Sequence, residues 1–268
     1  MATVTDNLPV PAKLAPYWEV NVPKGESVEE CPEYLRNLSD RDIAILSKED
    51  KDYRHNDWAE TKLMIYTKRY DMFHRVPSDL RRYLKFKYDV MKKYGSVENY
   101  MIKERLHWEN DLKPKGKVAF AEPSDYKIII NDWPYGLAEK IVHLTVWTKF
   151  KLTINPDTLI PDDLSPQVKR VIDRFVAKTF PSTAPKKDTP ILRDVAKMPK
   201  SWGCGRNLAQ PTNNEPISKR GDVAWFRNWG EIQSVKGPDH FHVLLNDPDL
   251  EFVKKITNND VPLYAKKE

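Results

Sequence analysis

The spacing of apolar positions changes near residue 115, and the change divides the chain into a helical part and a strand-bearing part. Upstream, Ala59, Leu63, Tyr66, Tyr70 and Phe73 recur at alternating steps of four and three, the repeat of one helix face. Asp57, with Glu60 three residues on, forms a capping box that starts this helix. Ser39 is placed to cap a shorter helix carrying Ile43 and Leu46. Ser78 caps another, with Leu80, Leu84, Tyr88 and Met91 facing inward and Gly95 set to end it. Ser96 opens a fourth helix through Tyr100, Met101 and Trp108, ending before Pro114. Residues 1–36 are punctuated by proline and hold no clean period, so they read as an extended arm.

Downstream the repeat shortens to two. Segments 117–121 (KVAFA) and 126–131 (YKIIIN) are strand-like, followed by the turn sequence DWPYG at 132–136. In 141–150, Val142, Leu144 and Val146 alternate with His143, Thr145 and Trp147. Ser165 and Pro166 then announce a helix bearing Val168, Val171, Ile172 and Phe175. Residues 181–222 are rich in Pro, Lys, Asn and Gly and predict a long irregular insertion or lid. Two last strands, 223–229 and 240–245, are joined by GEIQSVKGPD. The fold class is therefore α+β: an antiparallel sheet of about five strands with one face packed by helices, preceded by a helical part at 37–114, all in one integrated domain.

Composition narrows the function classes. The net charge of +5 comes from 44 basic and 39 acidic side chains interspersed along 268 residues, which favours a solvated mixed surface over a nucleic-acid groove. Cys31 and Cys204 lie far apart and form no CxxC, so a disulfide scaffold or cysteine zinc cluster is not expected. The sequence has no apolar leader and no apolar run of membrane-spanning length, which predicts a cytoplasmic or nuclear protein with no membrane partner. No cofactor motif is present: WGCGRN at 202–207 lacks both a preceding strand and the Lys-Ser/Thr of a phosphate loop.

The chemistry concentrates in Pro-Asp-His-Phe-His, 238–242. Residues two apart on a strand share a face, so His240 and His242 point the same way on the open side of the sheet, with Phe241 and Val243 toward the core. Such a pair binds phosphate, binds metal, or is satisfied by its neighbours. Metal is the weakest of these, since Asp132, His143 and Cys204 offer no diagnostic ligand spacing. Trp133, Tyr135, Trp147, Trp225 and Trp229 supply aromatic surface for a pocket or for core.

The order of strand, NDWP loop, VHLTVWTK strand, helix, strand ending in Asn, then QSV and HFHVLL resembles the histidine-triad nucleotide-binding superfamily. That resemblance implies His240 as nucleophile toward an α-phosphate, His242 as the last triad position, Asp132 as ribose ligand, and His143, Lys149, Asn228 and Ser234 as supporting residues. Pro238 stands where the family has its first histidine, which argues against turnover. Over nearly the whole chain, NDWPYG, VHLTVWTKF and WFRNWGEIQSVKGPDHFHVLL resemble the fungal N-acetylglucosamine-induced protein family, whose conserved domain has no assigned activity. This implies a cytoplasmic protein of the N-acetylglucosamine response. Three readings follow: a binder of a nucleotide or sugar nucleotide, an active nucleotidyl hydrolase or transferase, and a non-catalytic protein-interaction module whose helices are the docking surface.

Overall fold

A computed structural model describes residues 15–26, 28–157, 163–180 and 221–265. The insertion expected at 181–222, and Cys204 within it, lies almost wholly outside the described residues. Among these residues four strands form one antiparallel sheet: β1 (Tyr126–Ile130), β2 (Ile141–Thr148), β3 (Val223–Phe226) and β4 (Asp239–Asn246), in the order β1-β2-β4-β3. The register sets Thr145 opposite His242, Trp147 opposite His240, and Phe226 opposite His242 on the other side.

The expected fifth strand, 117–121, is a turn instead. Asp125 accepts from the Lys115 N–H at 2.9 Å and the Gly116 N–H at 2.7 Å, which folds the segment back on itself. Phe120 adopts φ 65° there, a left-handed conformation that no strand accommodates. Its side chain is still used, stacked on Phe175 at 4.4 Å.

The helices are α1 (Asp40–Leu46), α2 (Trp58–Tyr66), α3 (Pro77–Tyr94), α4 (Val97–Tyr100), α5 (Pro166–Thr179) and α6 (Leu250–Ile256). Ser39, Ser96 and Ser165 cap as the sequence predicts, and both halves of the Asp57–Glu60 capping box form. Gly95 ends α3 in the left-handed conformation that glycine adopts without strain. Three details differ from the sequence reading. First, α3 begins at Pro77, and the Ser78 N–H is taken by Asp50 Oδ1 at 2.9 Å rather than Ser78 acting as the cap. Second, its buried stripe runs through Leu80, Tyr83 and Val90, so Met91 is exposed. Third, α2 stops before Lys68, which adopts φ 54°, leaving Tyr70–Met72 as a separate turn. Beyond α4 the chain continues as a π-helical segment, Met101–Leu106.

Both faces of the sheet are covered, not one. Beneath it, Leu144, Val146, Phe241, Val243 and Leu245 pack on Ile172, Phe175 and Val176 of α5. Above it, Trp58, Met64 and Phe73 meet Phe226 and Leu244 at one end. Val90, Val97, Tyr100 and Met101 meet Ile129 and Trp147 at the other. The N-terminal helices thus close the side on which the sequence reading left the histidines open. Among the described residues no helix is long and apolar enough to cross a membrane.

Candidate functional site

Alternation on β2 and β4 places His143, Thr145, Trp147, His240 and His242 on the upper face. The three imidazoles keep 3 %, 8 % and 6 % of their surface (His143, His240, His242), so solvent reaches His240 most. His143 Nε2 lies 2.9 Å from His242 Nδ1 and 3.0 Å from Asn131 Nδ2. On the far side of the His242 ring, Nε2 lies 3.2 Å from Asn228 Nδ2, which also donates to Tyr135 Oη at 3.0 Å.

These contacts select the tautomers. The Trp133 N–H donates to Asn131 Oδ1 at 2.9 Å, which orients that amide so that its NH2 faces His143. His143 Nε2 therefore accepts, and the proton between the two rings belongs to His242 Nδ1. His242 Nε2 is then the acceptor for the Asn228 amide. Within this hydrogen-bonded network two buried atoms have no hydrogen-bond partner, His143 Nδ1 and Asn228 Oδ1.

Aromatic rings fix the planes. Phe226 stacks on His242 at 4.8 Å and 14°, Tyr135 on His143 at 5.3 Å and 27°, and Trp147 on His240 at 4.1 Å and 22°. His240 Nδ1 faces the Pro238 carbonyl at 3.4 Å, a long contact that favours the proton on Nδ1 and leaves the Nε2 lone pair unused.

All three rings are neutral at pH 7. Burial, with the Arg75 charge beside it, pushes His143 down to about 3. Burial pushes His240 down to about 4 against the pull of the Pro238 carbonyl. His242 falls well below the ordinary range through burial and then through its neighbours His143, His240 and Arg75.

The other expected site residues divide. Asn228 joins the histidines, as described. Asp132 is buried, but its oxygens accept from Arg105 Nε at 2.8 Å and the Leu263 N–H at 2.9 Å. The Arg105 guanidinium also makes a two-pronged pair with Asp260, at 2.9 Å on each side. Burial raises the proton affinity of Asp132, and Arg105 and the Leu263 N–H oppose that rise. Lys149 is buried too, 3.0 Å from Asp111 and over the Trp108 ring at 5.4 Å. Ser234 is exposed in the connection between β3 and β4.

The sequence reading missed Asn131, which is next to a residue it chose, and Arg75. Arg75 carried no motif: it sits in HRVPSD, just ahead of α3. Among the described residues no group of three or more His, Cys, Asp or Glu is placed to hold a metal ion.

The chain matches the family described as protein of unknown function, DUF3605, over residues 57–196 and 206–246. It is 25 % identical over 215 residues to N-acetylglucosamine-induced protein 1 of Candida albicans, spanning 74 % of this chain and 71 % of that one. It is 27 % identical over 158 residues to an uncharacterized protein of Saccharomyces cerevisiae, spanning 58 % of this chain and 62 % of that one. The crystal structure of HTC1 superposes with a TM-score of 0.50 at 22 % identity, over 77 % of this chain and 98 % of that one. At that identity the likeness establishes the fold alone.

Proposed function

The chain belongs to the DUF3605 family, and from that premise we propose that it is a binding protein of the N-acetylglucosamine response whose histidine face takes a nucleotide or sugar nucleotide. The link to N-acetylglucosamine rests on the name of the Candida albicans relative and on the resemblance in the sequence. The nucleotide rests on the histidine-triad-like order of motifs around Asp132, His143, Asn228, Ser234, His240 and His242.

One observation carries the reading: the chain Asn131–His143–His242–Asn228–Tyr135 holds two buried polar atoms, His143 Nδ1 and Asn228 Oδ1, with no partner. A buried donor or acceptor left unsatisfied costs roughly 1–3 kcal/mol, and a stability-driven core would have replaced it. A ligand offering an acceptor to one and a donor to the other would recover that energy on binding. Neutral imidazoles suit this task, because each presents one N–H and one lone pair.

His240 favours a second, enzymatic reading. Its Nε2 lone pair is the nitrogen that would attack an α-phosphate, forming an N–P bond as the P–O bond to the leaving group breaks; water would then release the nucleotide. Against turnover stand Pro238 at the first triad position and the engagement of both Asp132 oxygens, one by Arg105 and one by the Leu263 N–H, which competes with a ribose. Binding without product release is the expected outcome.

Calorimetric titration of wild type and His240→Ala with UDP-N-acetylglucosamine, UDP and UMP tests the proposal. Binding that is lost in the variant at unchanged melting temperature supports it. Equal binding in both proteins returns His240 to a packing role. Absence of binding in wild type leaves the interaction-module reading in its place.

A further inference from the structure

Arg75 combines four properties that its neighbours lack. It lies beside the histidine face, it is held rigidly, it forms no ion pair although the Asp79 carboxylate is within electrostatic reach, and its terminal nitrogens make no hydrogen bond. Its Nε donates to the Trp133 carbonyl at 3.1 Å, and its guanidinium carbon sits 4.0 Å from the centre of the Tyr83 ring. The same carbon is 5.5 Å from the centre of Tyr135, the ring that stacks on His143 and accepts from Asn228.

The backbone is pinned as well. The His74 carbonyl accepts from the Gly136 N–H at 2.8 Å and from Tyr53 Oη at 3.0 Å, joining the Arg75 segment to the loop between β1 and β2. A side chain at Gly136 would meet Tyr53 Oη at 2.3 Å, so this close seat requires glycine.

Among the described residues several other arginines form ion pairs, Arg227 with Asp239 among them, while Arg41 donates to the Phe73 carbonyl. Arg105 holds Asp132 and Asp260, and Arg82 holds Asp79. Arg75 forms no ion pair there, and neither Nη1 nor Nη2 has a partner. It is only partly buried, so water reaches it. A planar guanidinium with free Nη donors, fixed by stacking and by one carbonyl, is the arrangement that takes an oxyanion through two parallel hydrogen bonds.

We infer that Arg75 anchors a phosphoryl group at the edge of the histidine face, so that the N-terminal helical part supplies the charge and the sheet supplies the neutral donors and acceptors of one shared site. The inference rests on the ligand-binding reading above and names the part of the ligand the site grips: its phosphate. It also gives the N-terminal helices a role in binding beyond covering the sheet. The influence of Arg75 on the proton affinity of both His143 and His242 places its charge within electrostatic reach of that face.

The test titrates pyrophosphate and UDP-N-acetylglucosamine into full-length wild type, Arg75→Gln and Arg75→Lys, with the melting temperature of each recorded. Glutamine can keep the hydrogen bond to the Trp133 carbonyl while removing the charge; lysine keeps the charge and loses the fork. At least a tenfold loss of affinity for both probes in Arg75→Gln, with partial recovery in Arg75→Lys, is expected. Should the glutamine variant fail to fold, Arg75→Lys carries the test, with a severalfold loss expected and unaltered affinity overturning the inference.

The two proposals fail separately. If UDP-N-acetylglucosamine binds wild type and Arg75→Gln equally but not His240→Ala, the Arg75 inference falls and the nucleotide reading stands. If pyrophosphate binds in an Arg75-dependent way and the sugar nucleotide does not bind at all, the reverse holds. No binding of either probe to wild type removes both.

Discussion

The two faces of the sheet are built from alternate residues of the same two strands, yet they solve burial in opposite ways. On the lower face, Leu144, Val146, Phe241, Val243 and Leu245 give α5 a purely apolar bed. On the upper face, His143, Thr145, Trp147, His240 and His242 are buried almost as deeply under the N-terminal helices. The lower face needs only apolar contact. The upper face also needs tautomers, amide orientations and ring stacking to agree, and still leaves two polar atoms unmatched. Apolar side chains of similar volume would satisfy both covers. Stability therefore accounts for the lower face and not for the upper one, and the residues that stability does not explain are the ones to test for function.

Acid should separate the faces most sharply. His143, His240 and His242 have lower proton affinity in the folded chain than in the unfolded one, as does His74, which burial and Arg41 push down to about 4. Above about pH 6.5 neither state protonates these rings, and full stability is present. As pH falls below that value the unfolded chain takes up protons first, so stability drains away until the folded rings titrate near 4 or lower. Each buried histidine contributes up to about 1.4 kcal/mol per pH unit in this window, so three or four together are comparable with the whole stability of an ordinary domain by about pH 4. Urea unfolding between pH 7.5 and 4.5 should show this steep loss. A flat profile would mean that the rings are far more solvated than the structure places them.

Phe241→Ala attacks the lower face directly. The side chain is fully buried between β2, α5 and Phe120, so removal should cost about 3–5 kcal/mol. Denaturant titration should show this loss with an unchanged pH profile, because no titratable group moves. If the pH profile shifts as well, the two faces are not independent.

The lower face was the legible one. Period two in 141–150 and 240–245, and the Ser165–Pro166 start of α5, are local signals, and the structure follows them closely. Errors arose where a local pattern had two solutions. Helix α3 carries overlapping apolar stripes, and tertiary contacts chose the one containing Tyr83, leaving Met91 outside. KVAFA has strand composition, but the Asp125 carboxylate captured its flanking N–H groups first. For the candidate site, the face shared by His240 and His242 and the placement of Asn228 with them were readable from spacing and motif order. The commitment of Asp132 to Arg105 and to the Leu263 N–H was not, because those partners are 27 and 131 residues away in sequence. Arg75 was invisible for the same reason.

Replacing the histidine pair sharpens the comparison on the upper face. His242→Phe alone removes the donor to His143 and the acceptor for Asn228, and should cost about 1–3 kcal/mol. Adding His143→Leu removes the stranded partner, so the double variant should recover much of that loss. A double-mutant cycle measured by denaturant unfolding gives the coupling. Additive losses would show that the 2.9 Å contact between the rings contributes nothing to the fold. A double variant as stable as wild type, and unable to bind UDP-N-acetylglucosamine, would show a polar face kept for its ligand.

Ser234→Ala carries the smallest expected effect and limits how far the site extends. The side chain is exposed on the connection between β3 and β4, so its loss should change stability by less than about 0.5 kcal/mol. The histidine-triad resemblance assigns it a hydrogen bond to a phosphoryl oxygen, a neutral interaction whose net contribution is about 0.5–1.5 kcal/mol. Affinity for UDP-N-acetylglucosamine should then fall roughly two- to twelvefold at an unchanged melting temperature. The same titration on Arg75→Gln supplies the scale, because a charge-assisted contact is about twice as strong as a neutral one. If affinity stays within twofold of wild type while Arg75→Gln loses tenfold, the phosphate lies toward the N-terminal helices. The connection between β3 and β4 then drops out of the site, confining it to the strand face and the guanidinium above it.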